Sequence, residues 1–276
     1  METQCSNKAG ASELARYFAV AGAHLYTVLH QVSHPVARAL LIGPLAAERH
    51  ETYHPWVRWA RYLAARQIEV LRFDYRGMGE STGVFEEMSF ENWSEDVQLL
   101  RDWLGRQTPR VPILLHGLEI GGIFAANLFD KGYGDALLQW SPPSSANEAL
   151  RSNLRHWAGL EQLYQSSENR KTASDYIRQI EQGEPIEVDG YQWSARLWRE
   201  SFQVVPPSLS NADVAFRDEV KRRIGAVKLN KDASPLVRPH LRVDEVRDLT
   251  WLYAKTFNWV AEVLALSTGE TNEGSS

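Results

Sequence analysis

The chain of 276 residues has a single cysteine, Cys5. One thiol excludes an internal disulfide and any multi-cysteine metal site. Its polar surroundings near the N-terminus mark it as inert. No apolar run approaches the roughly 18 residues that a membrane helix needs, so no membrane insertion is expected. Positive charge is not in surplus: 30 Lys and Arg stand against 35 Asp and Glu, a net charge of -5. Such a balance gives no electrostatic attraction for nucleic acid or an anionic membrane. The stretch Met1-Glu2-Thr3-Gln4-Cys5 lacks the basic and apolar regions of a signal peptide, and a cytoplasmic protein is expected. Internal repeats and low-complexity segments are absent. So is a phosphate-binding glycine motif, because Gly77-x-Gly79 has neither a third glycine nor a following helix. No cofactor is expected.

What is present is a large apolar fraction, 43%, with ten Trp residues, enough for a sizeable core. Residues 1–14 and 267–276 read as disordered on composition, leaving one domain over 15–266. Residues 17–30 alternate loosely and suggest one or two antiparallel strands. Buried strands are predicted at 37–42, 67–73, 113–115 and 136–140 from short apolar runs ending in turn residues. Helices are predicted between them, at 55–65 (Trp56, Trp59, Ala60, Leu63), 90–104 (Trp93, Val97, Leu100, Leu104) and 121–129. Strands alternating with helices of this length imply an α/β fold, a mostly parallel sheet with helices on both faces. Residues 144–200 break the rhythm. They read as a mostly helical insertion with a turn near Gly183-Glu184-Pro185, placed to lie over the carboxyl ends of the strands as a lid. Further on, strands are predicted at 202–205 and 226–229, and helices at 213–224 and 243–266.

The most informative stretch is Ile113-Leu114-Leu115-His116-Gly117-Leu118-Glu119-Ile120-Gly121-Gly122. It reads as strand, tight turn and helix start, the layout of a G-x-S-x-G nucleophile elbow, with Glu119 where that motif has Ser. Gly117 and Gly121 supply the small flanking residues a strained turn needs, and Gly122 permits close helix packing. A side chain at the turn faces a helix N-terminus, where amide N–H groups and the helix dipole favour negative charge. Glu119 therefore has two readings. Its carboxylate occupies an anion-favouring site without doing chemistry, or it acts as nucleophile or as general base on water.

Other residues would complete a site. Leu45, after the Gly43-Pro44 strand exit, and Ile120 are the candidate amide donors of an oxyanion hole. In the chain order nucleophile, acid, histidine, the acid candidate is Asp213, which also reads as the first-turn acid of a helix. The base candidate is His240, which also reads as a solvated loop histidine beside Pro239. His50, His54 and His116 are candidate pocket-lining residues, His116 with a packed or hydrogen-bonded role. The H-x-x-x-H spacing of His50 and His54 can bind metal on a helix. Pro55 disfavours helical geometry at His54 and no third ligand is evident, so no metal is expected. Arg76 and Glu80 read as structural residues of a Gly-rich loop.

Asp74-x-Arg76-Gly77-x-Gly79-x-Ser81, followed by His116-Gly117-Leu118-x-x-Gly121-Gly122, resembles the loop and elbow of α/β-hydrolases. The likeness covers residues 36–142. Within that superfamily, Pro44-Leu45-Ala46-Ala47-Glu48, Gly117-Leu118-x-x-Gly121, the Leu-rich stretch after Trp140, and Asp189-Gly190-Tyr191-x-x-Ser194 resemble the exosortase A system-associated hydrolases, which are similar to the serine aminopeptidase group. The resemblance implies an α/β-hydrolase fold and an elbow that in the subgroup often lacks Ser. It maps the family nucleophile onto Glu119, its acid onto Asp213 and its base onto His240.

Three functions follow as expectations. One is a non-catalytic or atypical α/β-hydrolase-fold binder of a small acyl, ester or peptide-like ligand. Another is an active hydrolase or acyltransferase for ester or amide bonds, using Glu119. The last is an interaction protein using the Trp-rich insertion. Composition sets no oligomeric state.

Overall fold

The computed structural model describes residues 3–6, 12–164, 170–208, 224–227 and 249–266. Its centre is a mixed sheet in the order β1-β2-β3-β5-β4-β6-β7-β10. β1 (Thr3–Ser6), β2 (Ser12–Val20) and β3 (Ala23–Gln31) pair antiparallel, and β3 pairs antiparallel with β5 (Ile68–Phe73). From β5 through β4 (Ala37–Ile42), β6 (Ile113–Leu118), β7 (Ala136–Trp140) and β10 (Ile224–Val227) the pairing is parallel. β4, β6 and β7 are buried along their whole length. Burial on both faces explains why they read as continuous apolar runs rather than alternating ones.

Two cores flank the sheet. On one face α1 (Ala46–Ala64) and α7 (Thr250–Val263) cover a cluster built on Leu41, Trp59, Leu63, Val70, Leu114, Trp140 and Tyr253. On the other, α2 (Phe90–Gly105) and α3 (Gly121–Asp130) bury Trp93, Val97, Leu100, Ile123 and Phe124. Ser89 caps α2 in a capping box with Asn92, which satisfies two otherwise orphaned amides. The chain leaves β4 toward β5 on one side and later returns to β6 on the other. The strand order therefore reverses direction beside the carboxyl ends of β4 and β6, the usual place for a ligand crevice in open α/β sheets.

The insertion between β7 and β10 holds α4 (Ala146–Tyr164), α5 (Ala173–Glu181), a hairpin of β8 (Ile186–Val188) and β9 (Tyr191–Trp193), and α6 (Ala195–Ser201). Thr172 and Ser194 cap α5 and α6. The hairpin turns on Asp189 and Gly190, with φ of 47° and 77°, the two positive values a type I′ turn requires. Trp193 and Trp198 are each 1% exposed and belong to the core under the insertion.

Several sequence expectations change. Within the N-terminal stretch read as disordered, Thr3–Ser6 forms β1 and Ser12–Leu14 opens β2; their backbone pairing is a contact that composition does not report. α1 begins at Ala46 and runs through Pro55 rather than starting there. Proline removes one helix hydrogen bond, but Trp56, Trp59, Ala60 and Leu63 beyond it are buried against the sheet and carry the helix through. Residues 202–205 form no strand: Phe202 closes α6, and Val204 meets the insertion by accepting a 2.8 Å hydrogen bond from the Ala146 amide. Among the described residues the last strand lies at 224–227, slightly earlier than expected, and the terminal helix is described from Thr250; residues 213–223 of the expected helix lie outside the described residues.

Candidate active site

The elbow forms as its glycines require. Glu119 sits between β6 and α3 with φ of 50°, left-handed backbone that a non-glycine residue adopts at a cost on the order of 1 kcal/mol. Its amide donates to the Trp140 carbonyl at 2.9 Å, and its own carbonyl accepts from Gly122 at 2.9 Å. A β-carbon on Gly117 would lie 2.5 Å from the Gly122 nitrogen, and one on Gly121 would lie 2.5 Å from the Gly43 carbonyl oxygen, with Ile42 oxygen closer still. Both obstacles are backbone. The turn thus packs directly onto the strand exit after β4, and Glu119 itself is buried.

Leu45 and Ile120 are the N-cap residues of α1 and α3. They line one narrow cavity together with Ala46, Glu48, Phe85, Trp93, Ala149, Asn153, Trp193 and Leu197. Leu45 and Ile120 thus line the same cavity. The cavity admits the centres of water-sized molecules over about 10 Å³, room for about one water molecule. The insertion forms its roof through Ala149 and Asn153 of α4, Trp193 of β9 and Leu197 of α6. Glu48, in the first turn of α1, brings a buried carboxylate to this wall, a residue that the sequence places in one polar cluster with His50 and His54. Its signal was available: an acid in the first turn of a helix that begins at the strand exit.

A second small cavity lies across α1, lined by Gly43, Pro44, Arg49, Tyr53, Trp56, Arg72 and Tyr75 among others. The Gly-rich loop beside it is cross-braced. Arg49 donates to both Asp74 carboxylate oxygens at 2.8 and 2.6 Å, the Glu80 amide donates to Asp74 at 3.0 Å, and the Ser81 hydroxyl donates to the Asp74 carbonyl at 2.6 Å. Arg76 donates to the fully buried Asp96 at 2.7 Å and to the Asn92 carbonyl at 3.1 Å. Arg76 and the Glu80 backbone are structural, as the loop composition suggested.

The three histidines do not line these cavities. His50 and His54 lie one turn apart on α1, helical despite Pro55, on the exposed side opposite Glu48, Thr52 and Trp56. His116 lies beneath α1, fully buried among Trp56, Trp59 and Trp140. Its Nδ1 accepts from Trp59 Nε1 at 2.9 Å, and burial holds its pKa well below the usual imidazole value. It is a packed, neutral core residue, because β6 alternates its side chains and the even register points at α1. Among the described residues no group of three or more His, Cys, Asp or Glu is arranged to hold a metal ion, and no helix is long and apolar enough to cross a membrane. Asp213 and His240 lie outside the described residues.

A reversing parallel sheet, a glycine-flanked turn with positive φ at its apex, and paired helix caps beside it define an α/β-hydrolase fold, and the chain has that fold. Residues 45–166 match the family described as serine aminopeptidase, S33. No curated protein matches the chain. Among solved structures it is similar to Est1E from Butyrivibrio proteoclasticus in its ferulic acid complex, with 16% identity, 91% of this chain and 100% of that one covered, and a TM-score of 0.60. It is also similar to the α/β-hydrolase GrgF from Penicillium sp. sh18 (16% identity, 92% and 99% covered, TM-score 0.54) and to mouse α/β-hydrolase domain-containing protein 10 (14% identity, 90% and 99% covered, TM-score 0.53). At these identities the likeness is one of fold.

Proposed function

We propose that this protein is an α/β-hydrolase-fold protein without the usual catalytic serine, a non-catalytic or atypical binder of a small acyl, ester or peptide-like ligand. The observation that carries the reading is Glu119 at the apex of the elbow, buried, in left-handed backbone, between two glycines that tolerate no side chain. A carboxylate there faces the N-terminus of α3, whose dipole favours its negative charge. That same charge opposes the oxyanion of an acyl-transfer transition state, which would need the Leu45 and Ile120 amides. The one-water cavity roofed by the insertion supports the same reading, since an acyl chain requires the roof to lift. The burial of Trp193 and Trp198 argues against the interaction reading, because these side chains pack the insertion rather than face a partner. Four fragments like those of exosortase-associated hydrolases fall at the strand exit, the elbow, α4 and the β8–β9 hairpin, which supports placing the protein near that subgroup.

The test is ester hydrolysis by the wild type, Glu119→Gln and Glu119→Ser over short and long acyl chains. The expected outcome is a silent wild type with activity gained by Glu119→Ser. A wild-type activity that Glu119→Gln abolishes overturns the proposal and assigns Glu119 as nucleophile or base.

A further inference from the structure

The roof over the cavity is fastened to the rest of the molecule by polar contacts at its edge. On α1, Glu51 lies one turn beyond the cavity residue Glu48; on α4, His156 lies one turn beyond the cavity residue Asn153. The two facing helices meet there, with His156 Nε2 3.6 Å from the Glu51 carboxylate. At that separation the contact is electrostatic rather than a hydrogen bond. Beside it the hairpin makes a second bridge. Tyr191 Oη lies 3.3 Å from His50 Nε2, and its ring meets Phe85, another cavity residue, edge-on at 4.9 Å. Asp189, at the tight Asp189-Gly190 turn of the hairpin, adds a negative charge whose field reaches Glu51. Glu51 is mostly withdrawn from water, its side chain 23% exposed.

We infer that the insertion is held over the cavity by a proton-sensitive latch, in which Glu51 of α1 meets His156 of α4 beside the Tyr191–His50 bridge of the hairpin, and that the latch loosens as Glu51 ionises. The inference assigns a regulation to the site of the proposed function and takes that site as the ligand's place. The charged and titratable groups around Glu51 are His156 from α4, Asp189 and Tyr191 from the hairpin, and Glu48, Arg49 and His50 on α1 itself. Arg49 is held by both oxygens of Asp74, and His50 faces Tyr191. His156 offers a positive charge only when protonated, so its pull on an ionised Glu51 fades as pH rises. Burial, and then the Asp189 carboxylate, push Glu51 up to about 7 from an ordinary value of 4.5.

The sign follows from linkage. With the insertion lifted, Glu51 is solvated and returns toward its ordinary value. The closed arrangement binds the proton more tightly, so it is fully favoured below about pH 4.5 and loses its advantage as pH rises through about 7. Taking the partial exposure into account, the closed-to-open ratio changes on the order of 100-fold across that window. A ligand would thus enter more readily at neutral or alkaline pH.

Hydrogen–deuterium exchange of the full chain, followed in peptides covering residues 186–201 from pH 5 to 8.5 and corrected for intrinsic chemical rates, tests this. Protection of these peptides is expected to fall by tens-fold or more as pH rises, while protection of residues 113–118 in β6 stays level. Glu51→Gln, a neutral mimic of the protonated acid, is expected to keep the peptides protected at every pH. Asp189→Asn, which suits the same turn, is expected to shrink the fall. A wild type with pH-independent protection, or a Glu51→Gln variant with the wild-type fall, overturns the latch. An unfolded Glu51→Gln leaves the decision to Asp189→Asn, whose unchanged fall also overturns it. The readout uses no ligand, so failure here is distinct from failure of the ester assay.

Discussion

Two adjacent glycines in α3 should respond to the same substitution in opposite ways. A methyl group at Gly121 would be driven into backbone oxygens of Ile42 and Gly43, the latter at 2.5 Å. Neither oxygen can move without displacing the exit of β4, a strand buried along its whole length between β5 and β6. Overpacking of a rigid core costs about 1–3 kcal/mol and sometimes more, and a clash with main chain belongs at the top of that range. Gly121→Ala is therefore expected to cost about 3 kcal/mol or more. At Gly122 the nearest atoms are the Pro142 β-carbon at 3.1 Å and the Gln139 side-chain nitrogen at 3.3 Å. A shift of a few tenths of an ångström in the Pro142 turn and in the Gln139 amide, which donates to the Gly122 carbonyl at 2.9 Å, would make room. Alanine also gains up to about 1 kcal/mol of helix propensity over glycine, so Gly122→Ala should fall within about 1 kcal/mol of the wild type. Urea unfolding followed by circular dichroism measures both. With a slope of about 3 kcal/mol/M, Gly121→Ala moves the midpoint down by about 1 M and Gly122→Ala barely moves it. Equal losses at the two positions, or a Gly121→Ala as stable as the wild type, would refute the packing argument and with it the elbow geometry.

Acid should weaken the fold through buried histidines. Burial, and then Arg72, hold His30 down to about 4 from 6.5, and His116 is also lowered by burial. The folded state favours the neutral ring, so its contribution is complete above pH 6.5 and is lost as pH falls through about 4, worth about 2–3 kcal/mol for His30. Urea midpoints between pH 7.5 and 4.5 should fall, and His30→Gln should flatten the decline; a midpoint constant over that range would contradict it. This global trend runs opposite to the latch, which tightens in acid, so the two separate in one exchange experiment. In the Gly-rich loop, Asp96→Ala leaves the Arg76 guanidinium buried without its closest carboxylate. The expected cost is about 3 kcal/mol by thermal or urea unfolding, with Asp96→Leu in an Arg76→Met background recovering most of it. A loss under 1 kcal/mol for Asp96→Ala would show that Glu95 and the Asn92 carbonyl suffice.

Much of the fold was legible because its determinants are local. β4, β5 and β7 show as apolar runs closed by Gly-Pro, Asp-Tyr or Ser-Pro, and α2 shows as Trp93, Val97, Leu100 and Leu104 at helical spacing. The elbow was legible for a steric reason: only glycine fits at 117 and 121, whatever stands between. What escaped depended on distant partners. Pro55 reads as a helix boundary, yet buried tryptophans beyond it decide otherwise. Thr3–Ser6 carries no pattern of its own and is ordered by pairing with β2. The β8–β9 hairpin had a local signal, Asp189-Gly190 between two three-residue strands, but its short runs were hidden in a helical context. The histidine roles were the least legible part. A helix spacing of four says that His50 and His54 share a face, and only the packing of α1 says that this face looks outward.

The cluster of Trp56, Trp59, His116 and Trp140 has a consequence for how the chain is made. Its cover is α7, whose Tyr253 lies nearly parallel to Trp140 at 6.3 Å and donates to the Pro55 carbonyl at 2.9 Å. Strands β3 to β7 and their crossover helices all come from residues 23–140, so the sheet can assemble while most of the insertion and α7 are still unsynthesised. During that interval an aromatic face of the half-made protein stands bare to water. A ribosome-bound chain stalled before residue 249 should expose it to chaperones, and release of the last helix is the event that hides it.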